Sequence, residues 1–238
     1  MLQTLLTKTA ASQVLFSLNM HNVDELFPGF APGDFAVLYG SPCIASMAFE
    51  LCVRAQMPVQ LGGINSNVIF IDGGNTFRRF HIARLAKLFH ADEKRTLDNI
   101  HLSRAYTAYQ MTNLIMEHLK NSVQRTHAKI VVISDITGLF LDQDLAEDEV
   151  RRIFSQITAY LQTFARENEL IIIATCPQRP RDSRNVYLQA LTCNKTNVVI
   201  GIQQALHDPE FNLEKHPHYM LGTAELPSKN LALTDFIY

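Results

Sequence analysis

A glycine between a short apolar segment and an apolar helical pattern is the first feature of this chain that could bind phosphate. Residues 35–40 read Phe-Ala-Val-Leu-Tyr-Gly, and residues 41–47 read Ser-Pro-Cys-Ile-Ala-Ser-Met. Where a strand, a glycine and a helix start follow one another, backbone N–H groups can surround a phosphate. The working motif is G-x-x-x-x-G-K-[ST], whose lysine neutralises phosphate charge and whose hydroxyl holds Mg²⁺.

The chemical positions of this motif are missing. Counted from Gly40, the second glycine is Ala45, the lysine is Ser46 and the hydroxyl is Met47. No lysine lies between residues 8 and 87, and the nearest cation is Arg54. Each lost charge-assisted hydrogen bond costs about 1.5–3 kcal/mol. We therefore predict a degenerate nucleotide site and expect no cofactor, with weak binding of ATP and Mg²⁺ left open.

Six short apolar segments alternate with helical patterns. The predicted strands are Phe35–Tyr39, Val68–Asp72, Asn99–Ser103, Ile130–Ser134, Leu170–Thr175 and Asn197–Gln203. Helical stripes are centred on Leu85, Ile115 and Ile157. This alternation predicts an α/β fold with a mostly parallel, doubly wound sheet. Near the C-terminus, Tyr219–Glu225 and Leu231–Ile237 are predicted to form antiparallel strands joined by a turn. We predict an N-terminal lead-in over residues 1–25 and one core domain over 26–238.

Composition limits the kinds of partner. Charged residues make up 18% of the chain and the formal net charge is −2, so a DNA site must be a local patch of Lys and Arg. The four cysteines show no zinc-ligand spacing, and we expect no bound metal. No apolar run approaches the roughly 18 residues that span a bilayer, and we expect no membrane contact.

Several ordered blocks resemble the archaeal RadA and eukaryotic strand-exchange recombinases of the RecA/RadA superfamily. The blocks are Gln56-Met57-Pro58, Ile71-Asp72 with Thr76-Phe77-Arg78, Asn99-Ile100 with Arg104-Ala105-Tyr106, and residues 133–140, which read Ile-Ser-Asp-Ile-Thr-Gly-Leu-Phe. The resemblance implies a RecA-like core, in which a mostly parallel central sheet is flanked by helices and ends in antiparallel strands.

The departures from that family concern hydrolysis. Gly74 stands where the resemblance implies a glutamate that polarises the attacking water, so no catalytic residue is assigned. The implied Mg²⁺-site aspartate is Asp135 or, in another alignment, the position is Ser134. Asp72 and Asp135 could equally be caps of the turns that follow their strands. The degenerate nucleotide site is therefore assigned to Gly40, Ser46 and Asp135.

Three segments are candidate partner surfaces. Residues 178–184 read Gln-Arg-Pro-Arg-Asp-Ser-Arg and stand where the family places a DNA-binding loop, so Arg179, Arg181 and Arg184 are the candidate DNA ligands. Residues 141–149 are acidic and favour a helix N-terminus over DNA contact. Arg78, Arg79, Arg84 and Lys87 form a basic stretch that is either a solvated helix face or a partner surface.

The resemblance and the lost chemistry lead to one hypothesis with two alternatives. The chain is predicted to be a non-hydrolysing paralogue that assists or regulates recombination and DNA repair, with single-stranded DNA as an open ligand. It could instead be a docking protein for a RadA-type recombinase or another paralogue without DNA binding, or an ATPase completed by a neighbouring subunit. The expected location is the cytoplasm, at the nucleoid if the source is archaeal.

Overall fold

The computed structural model describes residues 15–179, 181–204 and 209–226, and the strands of these residues form one eight-stranded sheet. The strands are β1 (Phe35–Gly40), β2 (Val68–Asp72), β3 (Ile100–Arg104), β4 (Ile130–Ser134), β5 (Ile171–Pro177), β6 (Val198–Gln204), β7 (Pro209–Lys215) and β8 (Gly222–Glu225). The helices are α1 (His21–Leu26), α2 (Ile44–Arg54), α3 (Arg79–Leu88), α4 (Glu93–Asp98), α5 (Ala108–Asn113), α6 (Leu119–Thr126), α7 (Glu147–Glu167) and α8 (Ser183–Lys195).

The strand order is β3-β2-β4-β5-β1-β6-β7-β8. All pairs from β3 to β6 are parallel, and β7 and β8 continue the sheet in antiparallel fashion. β1, β2 and β4 are apolar on both faces and almost wholly buried, as strands covered by helices on both sides must be. The predicted fold class is therefore confirmed.

All six predicted parallel strands are present within one or two residues of their predicted limits. The antiparallel C-terminal end is confirmed, and it contains one strand more than was predicted. β8 pairs with β7, a strand that the sequence analysis did not identify, through Glu210–Glu225 and Leu213–Gly222. The predicted strand Leu231–Ile237 and its turn lie outside the described residues.

Two apolar layers cover the sheet. On one face α2 and α3 pack through residues such as Met47, Phe49 and Ile82, and on the other α7 packs through Phe154 and Leu161. The segment before β1 belongs to the first layer, because Phe16 is fully buried and exchanges two backbone hydrogen bonds with Phe30. No helix in the described ranges combines the length and apolar character that crossing a bilayer needs.

The carboxyl ends of the parallel strands meet at one edge of the sheet. There Gly40 ends β1, Asp72 ends β2 and Ser134 ends β4. Ligands of open α/β sheets bind outside this edge, so the residues just beyond it form the candidate site.

Candidate nucleotide site

The connection between β1 and α2 is too short to surround a phosphate group. Only three residues, 41–43, separate Gly40 from the first residue of α2, whereas the working motif has four between its two glycines. The Ser41 N–H donates to the carbonyl of Ile202 in β6 at 2.8 Å, and the Gln178 N–H donates to the Gly40 carbonyl at 3.1 Å. The loop therefore uses backbone groups to bind its own neighbouring strands.

Gly40 is required by this close contact. Its φ is +116°, and a Cβ at this position would lie 2.1 Å from the Ile202 carbonyl oxygen. No L side chain fits here without moving β6. The surviving glycine is thus explained by packing of the loop against the sheet, with no need for a phosphate ligand.

The two described residues that could have replaced the missing lysine, Ser46 at its position and Arg54 as the nearest cation in sequence, both make other contacts. Ser46 is buried in α2 with its hydroxyl 3.4 Å from Nε2 of His81 in α3, so it faces a neighbouring helix. Arg54 ends α2, about 15 Å along the helix axis from its first residue at 1.5 Å per residue. It is buried there, with its guanidinium over the ring of Phe89.

Asp135 follows β4 and is paired with Arg179. The two guanidinium nitrogens of Arg179 donate to the two carboxylate oxygens at 3.2 and 2.7 Å, and the Gly138 N–H donates to one of them at 3.0 Å. The backbone N–H of Asp135 donates to the Thr175 hydroxyl at 2.9 Å. A Mg²⁺ ion at this carboxylate would have to compete with the guanidinium for the same oxygens.

Ser134, the alternative position for the Mg²⁺ ligand, is the last residue of β4. Its hydroxyl lies 2.6 Å from the hydroxyl of Thr76, so it joins β4 to the turn after β2. Both alternatives left open by the sequence are therefore occupied by contacts within the chain.

Asp72 caps the turn after β2. Its carboxylate is fully buried and accepts the N–H groups of Thr76 at 2.8 Å and Phe77 at 3.1 Å. Arg104, opposite Asp72 in the β2–β3 register, adds an ion pair at 3.3 Å. For both aspartates the structure supports the capping interpretation, reinforced by an arginine that the sequence analysis did not assign to the site.

Gly74 lies at the exposed turn beside these pairs. A Cβ there would lie 2.9 Å from the Cβ of Asp135, so a longer side chain would press against the Asp135–Arg179 pair. The two nearby carboxylates, Asp72 and Asp135, are each paired with an arginine, so neither is free to act as a general base. Among the described residues, no group of three or more His, Cys, Asp or Glu side chains is placed to hold a metal.

The residues at this edge therefore do not fit MgATP. They supply no cation in the loop and no open carboxylate, and the carboxylate of Asp135 already binds a guanidinium. The Asp72–Arg104 pair joins the ends of β2 and β3, and the Asp135–Arg179 pair joins the segment after β4 to the segment after β5. The hydroxyls of Thr76 and Ser134 join the turn after β2 to the end of β4.

Replacing Arg179 by Ala should lower the free energy of unfolding by about 1–3 kcal/mol, because it leaves the buried Asp135 without its cation. The larger loss of stability that is typical of fully buried ion pairs is not expected, since the Arg179 side chain is 36% exposed. Urea unfolding of the variant measures the loss. Arg181→Ala, an exposed change in the same segment, should stay within about 0.5 kcal/mol of the parent chain.

A double-mutant cycle with Asp135→Asn tests whether the two residues act as a pair. The double variant should lose less stability than the sum of the single changes, because either substitution alone breaks the same interaction. Additive losses would contradict the pairing.

The loop arginines are placed differently from the prediction. Arg179 is held by Asp135. Arg184 belongs to the first turn of α8 and donates to the carbonyls of Asp142 and Leu145 at 2.5 and 3.1 Å, so its assignment to a loop is wrong. Only Arg181 is exposed with no contact seen to another described residue. Their role as DNA ligands stays a prediction, and two of the three guanidiniums are engaged within the chain.

The acidic segment that Arg184 holds begins α7. Glu147, Asp148 and Glu149 occupy its first turn, where carboxylates interact favourably with the helix dipole. The predicted helix N-terminus is therefore confirmed for residues 147–149, while residues 142–146 precede the helix.

Comparison with known proteins agrees with this architecture. The Rad51 family profile matches residues 15–179. The DNA repair and recombination protein RadA of Cenarchaeum symbiosum is 29% identical over 49% of this chain and 29% of its own length. The meiotic recombination protein DMC1/LIM15 homolog of Mus musculus is 31% identical over 54% of this chain and 39% of its own length. The matched part is well under half of each relative. Because the profile covers more than half of this chain, the chain belongs to the Rad51 family.

Proposed function

We propose that this chain is a non-hydrolysing member of the Rad51 family that assists or regulates homologous recombination and DNA repair. The relatives named above act in recombination or DNA repair, and the chain shares the core that matches them. The observation that carries the non-hydrolysing part is the pairing of Asp135 with Arg179 beside a shortened loop.

The physical argument is a balance of charge. A triphosphate with Mg²⁺ needs a cation for its terminal phosphates and carboxylate oxygens for the metal. Here the loop offers no cation, and opening Asp135 for a metal would first break a bidentate ion pair with Arg179. Gly74 adds no group that could activate water. The free energy of MgATP binding would therefore have to exceed the free energy lost when the contacts that already stabilise this edge are broken.

Isothermal titration calorimetry with ATP, with and without Mg²⁺, tests this proposal. We expect no heat of binding or a dissociation constant in the millimolar range, with no phosphate release over the background rate. A micromolar dissociation constant that depends on Mg²⁺, with turnover that the purified chain sustains, would overturn it. Turnover that rises with protein concentration would favour an ATPase completed by a neighbouring subunit.

A second candidate is a docking protein without DNA contact. It is favoured by one specific observation, namely that Arg179 and Arg184 already bind groups of their own chain. β3 supplies a place for a partner, because it is the last strand on one side of the sheet formed by the described residues, with backbone groups able to pair with an added strand. Capture of a RadA-type recombinase without retention of DNA would support this candidate.

A further inference from the structure

A cleft lies at the edge of the sheet opposite the candidate nucleotide site. It encloses about 660 Å³, and its lining comes from the connection between α2 and β2, the segment between α3 and α4, and α4 itself. Asn67 and Asn99, which directly precede β2 and β3, belong to the lining, as does His127 before β4. Ligand clefts in proteins commonly measure about 300–1,000 Å³, so this one is large enough to bind a ligand. We call it the amino-edge cleft, after the amino ends of the strands beside it.

Two amide oxygens in the amino-edge cleft are fixed as hydrogen-bond acceptors. The Nε2 group of Gln56 donates to the carbonyls of Cys52 and Thr96, both at 3.1 Å, so the orientation of this amide is set and its Oε1 atom is the remaining end. The Nδ2 group of Asn67 donates to the Thr126 carbonyl at 2.7 Å and fixes that amide in the same way. Neither oxygen accepts a hydrogen bond from another described residue. A ligand that satisfies both oxygens must supply N–H groups.

The same cleft also contains a guanidinium that needs acceptors. Arg95 stands in the last turn of α4 with an exposed side chain, and its guanidinium makes no ion pair or hydrogen bond within the described part of the chain. The acidic lining residue, Asp92, caps α4 instead, because its carboxylate accepts the backbone N–H of Arg95 at 2.6 Å. A ligand must therefore offer oxygen atoms to Arg95 as well as N–H groups to the amides, and a carboxylate would give the strongest pair.

Two histidines of the cleft hold a backbone conformation that favours glycine. His90 follows α3 with a φ of +54°, and His127 caps the end of α6 with a φ of +53°. Helices often end in a left-handed glycine, because a Cβ is strained in that conformation. At these two helix ends the chain carries imidazoles instead, and both line the cleft. Stability alone does not explain them, whereas a ligand that accepts hydrogen bonds does.

Apolar side chains complete the lining. Val53, Met57 and Phe89 contribute carbon atoms to the wall of the cleft. Leu61, in the short 3-10 helix Val59–Leu61, also lines it and is 56% exposed. A leucine left so exposed gains little from folding, and an occupant of the cleft would remove more of it from water. The cleft therefore combines hydrogen-bonding groups with an apolar wall.

We propose that the amino-edge cleft binds an extended segment of a partner protein, in which an apolar side chain stands beside a carboxylate. An extended backbone carries both N–H and C=O groups along its length, so it supplies donors to the fixed amide oxygens and acceptors to the imidazoles. The carboxylate pairs with Arg95, and the apolar side chain covers Leu61. The inference uses no residue of the candidate nucleotide site and requires neither ATP binding nor hydrolysis.

A mononucleotide is the alternative occupant of a cleft of this size. Its phosphates carry only acceptors at neutral pH, as do the fixed oxygens of Gln56 and Asn67 and the carboxylate of Asp92. Acceptors repel one another, so these groups favour a ligand with N–H groups spaced along its length. Binding of a mononucleotide is an outcome that the experiment below distinguishes.

Selection from a phage-displayed library of random heptapeptides on the immobilised full chain tests the proposal, and fluorescence anisotropy then measures the affinity of the enriched peptides. We expect these peptides to share an apolar residue beside Asp or Glu. Arg95→Ala should weaken their binding about tenfold, because it removes a charge-assisted hydrogen bond. Leu61→Ala should weaken it about fivefold through lost apolar contact. Lys94→Ala, which removes the neighbouring exposed cation of α4 outside the lining, should leave the affinity unchanged.

His90→Gly separates binding from structure. Glycine adopts the left-handed conformation without strain, so urea unfolding should show a variant at least as stable as the parent chain. Its affinity for the enriched peptides should nevertheless fall about threefold, because one hydrogen bond to the ligand is lost. Asn75→Gly is the matched control, since it makes the same backbone change at a φ of +51° in the turn after β2, outside the cleft. This control should bind the peptides as the parent does.

Three results would rule the inference out. The first is a selection in which no peptide is enriched over the bare support. The second is equal affinity of the enriched peptides for the parent chain, Arg95→Ala and His90→Gly. The third is displacement of the peptides by micromolar AMP, which would make the cleft a nucleotide site. Phosphate release from ATP is measured independently of the cleft, so failure here and failure of the non-hydrolysing proposal are distinguishable.

Discussion

Replacing Asp72 by Ala is expected to lower the free energy of unfolding by about 3–5 kcal/mol. The carboxylate is fully buried and accepts two backbone N–H groups and the guanidinium of Arg104. Its removal leaves the N–H groups of Thr76 and Phe77 without an acceptor and Arg104 without its anion. Urea unfolding followed by circular dichroism measures the loss.

Two comparisons make this result specific. Asp144→Ala, an exposed change in the acidic segment, should shift stability by no more than about 0.5 kcal/mol. Asp72→Asn keeps the shape of the side chain but places an amide N–H group against other donors. This variant should therefore lose almost as much stability as Asp72→Ala. If Asp72 were instead kept for metal binding, both substitutions would leave the metal-free chain as stable as the parent. That outcome would contradict the capping role.

The sequence was a good guide to the parallel sheet because its strands are buried on both faces. A short, nearly continuous apolar run such as Ile130–Ser134, which stands next to a helical pattern, indicates a strand that is buried in a sheet. β7 was missed for the opposite reason. Only Phe211 and Leu213 of its interior are apolar and buried, and a proline and two glutamates surround them. The period-two alternation was the available signal, but it is short.

At the candidate site, sequence predicted which groups were missing and could not predict what replaced them. Ala45, Ser46, Met47 and Gly74 are visible as departures from a motif. The pairing of Asp135 with Arg179 joins residues 44 positions apart, and it depends on how the segment after β5 turns over the end of β4. Arg104 lies opposite Asp72 in the register of β2 and β3. Its pairing could not be predicted, because no register can be read from one sequence.

In α2, too, the sequence does not reveal the surroundings of a charged pair. Glu50 and Arg54 stand one helical turn apart, a spacing that is typical of ion pairs on a helix surface. The structure buries both, with 8% of Glu50 and 2% of Arg54 exposed. The Nε and Nη2 atoms of Arg54 have no hydrogen-bond partner among the described residues. Burial raises the pKa of Glu50 from 4.5 to about 7, against the lowering effect of the nearby Arg54. Loss of solvation therefore outweighs the attraction of the pair.

The raised pKa has a defined sign for stability. The folded chain holds the Glu50 proton up to about pH 7, while the unfolded chain releases it above about 4.5, so folding binds a proton between these values. Stability from this group must fall as pH rises through that window. The loss between pH 5 and pH 8 is about 2–3 kcal/mol for a shift of this size.

Glu50→Gln should remove this dependence, because a neutral amide gains no charge as the pH rises. Between pH 5 and pH 8, the unfolding free energy of the parent chain should fall by about 2–3 kcal/mol more than that of the variant, as measured by urea unfolding at both pH values. Glu25→Gln, whose side chain is 73% exposed, should track the parent chain at both pH values. Equal pH dependence in Glu50→Gln and the parent would mean that Glu50 stays ionised in α2, paired with Arg54 despite its burial.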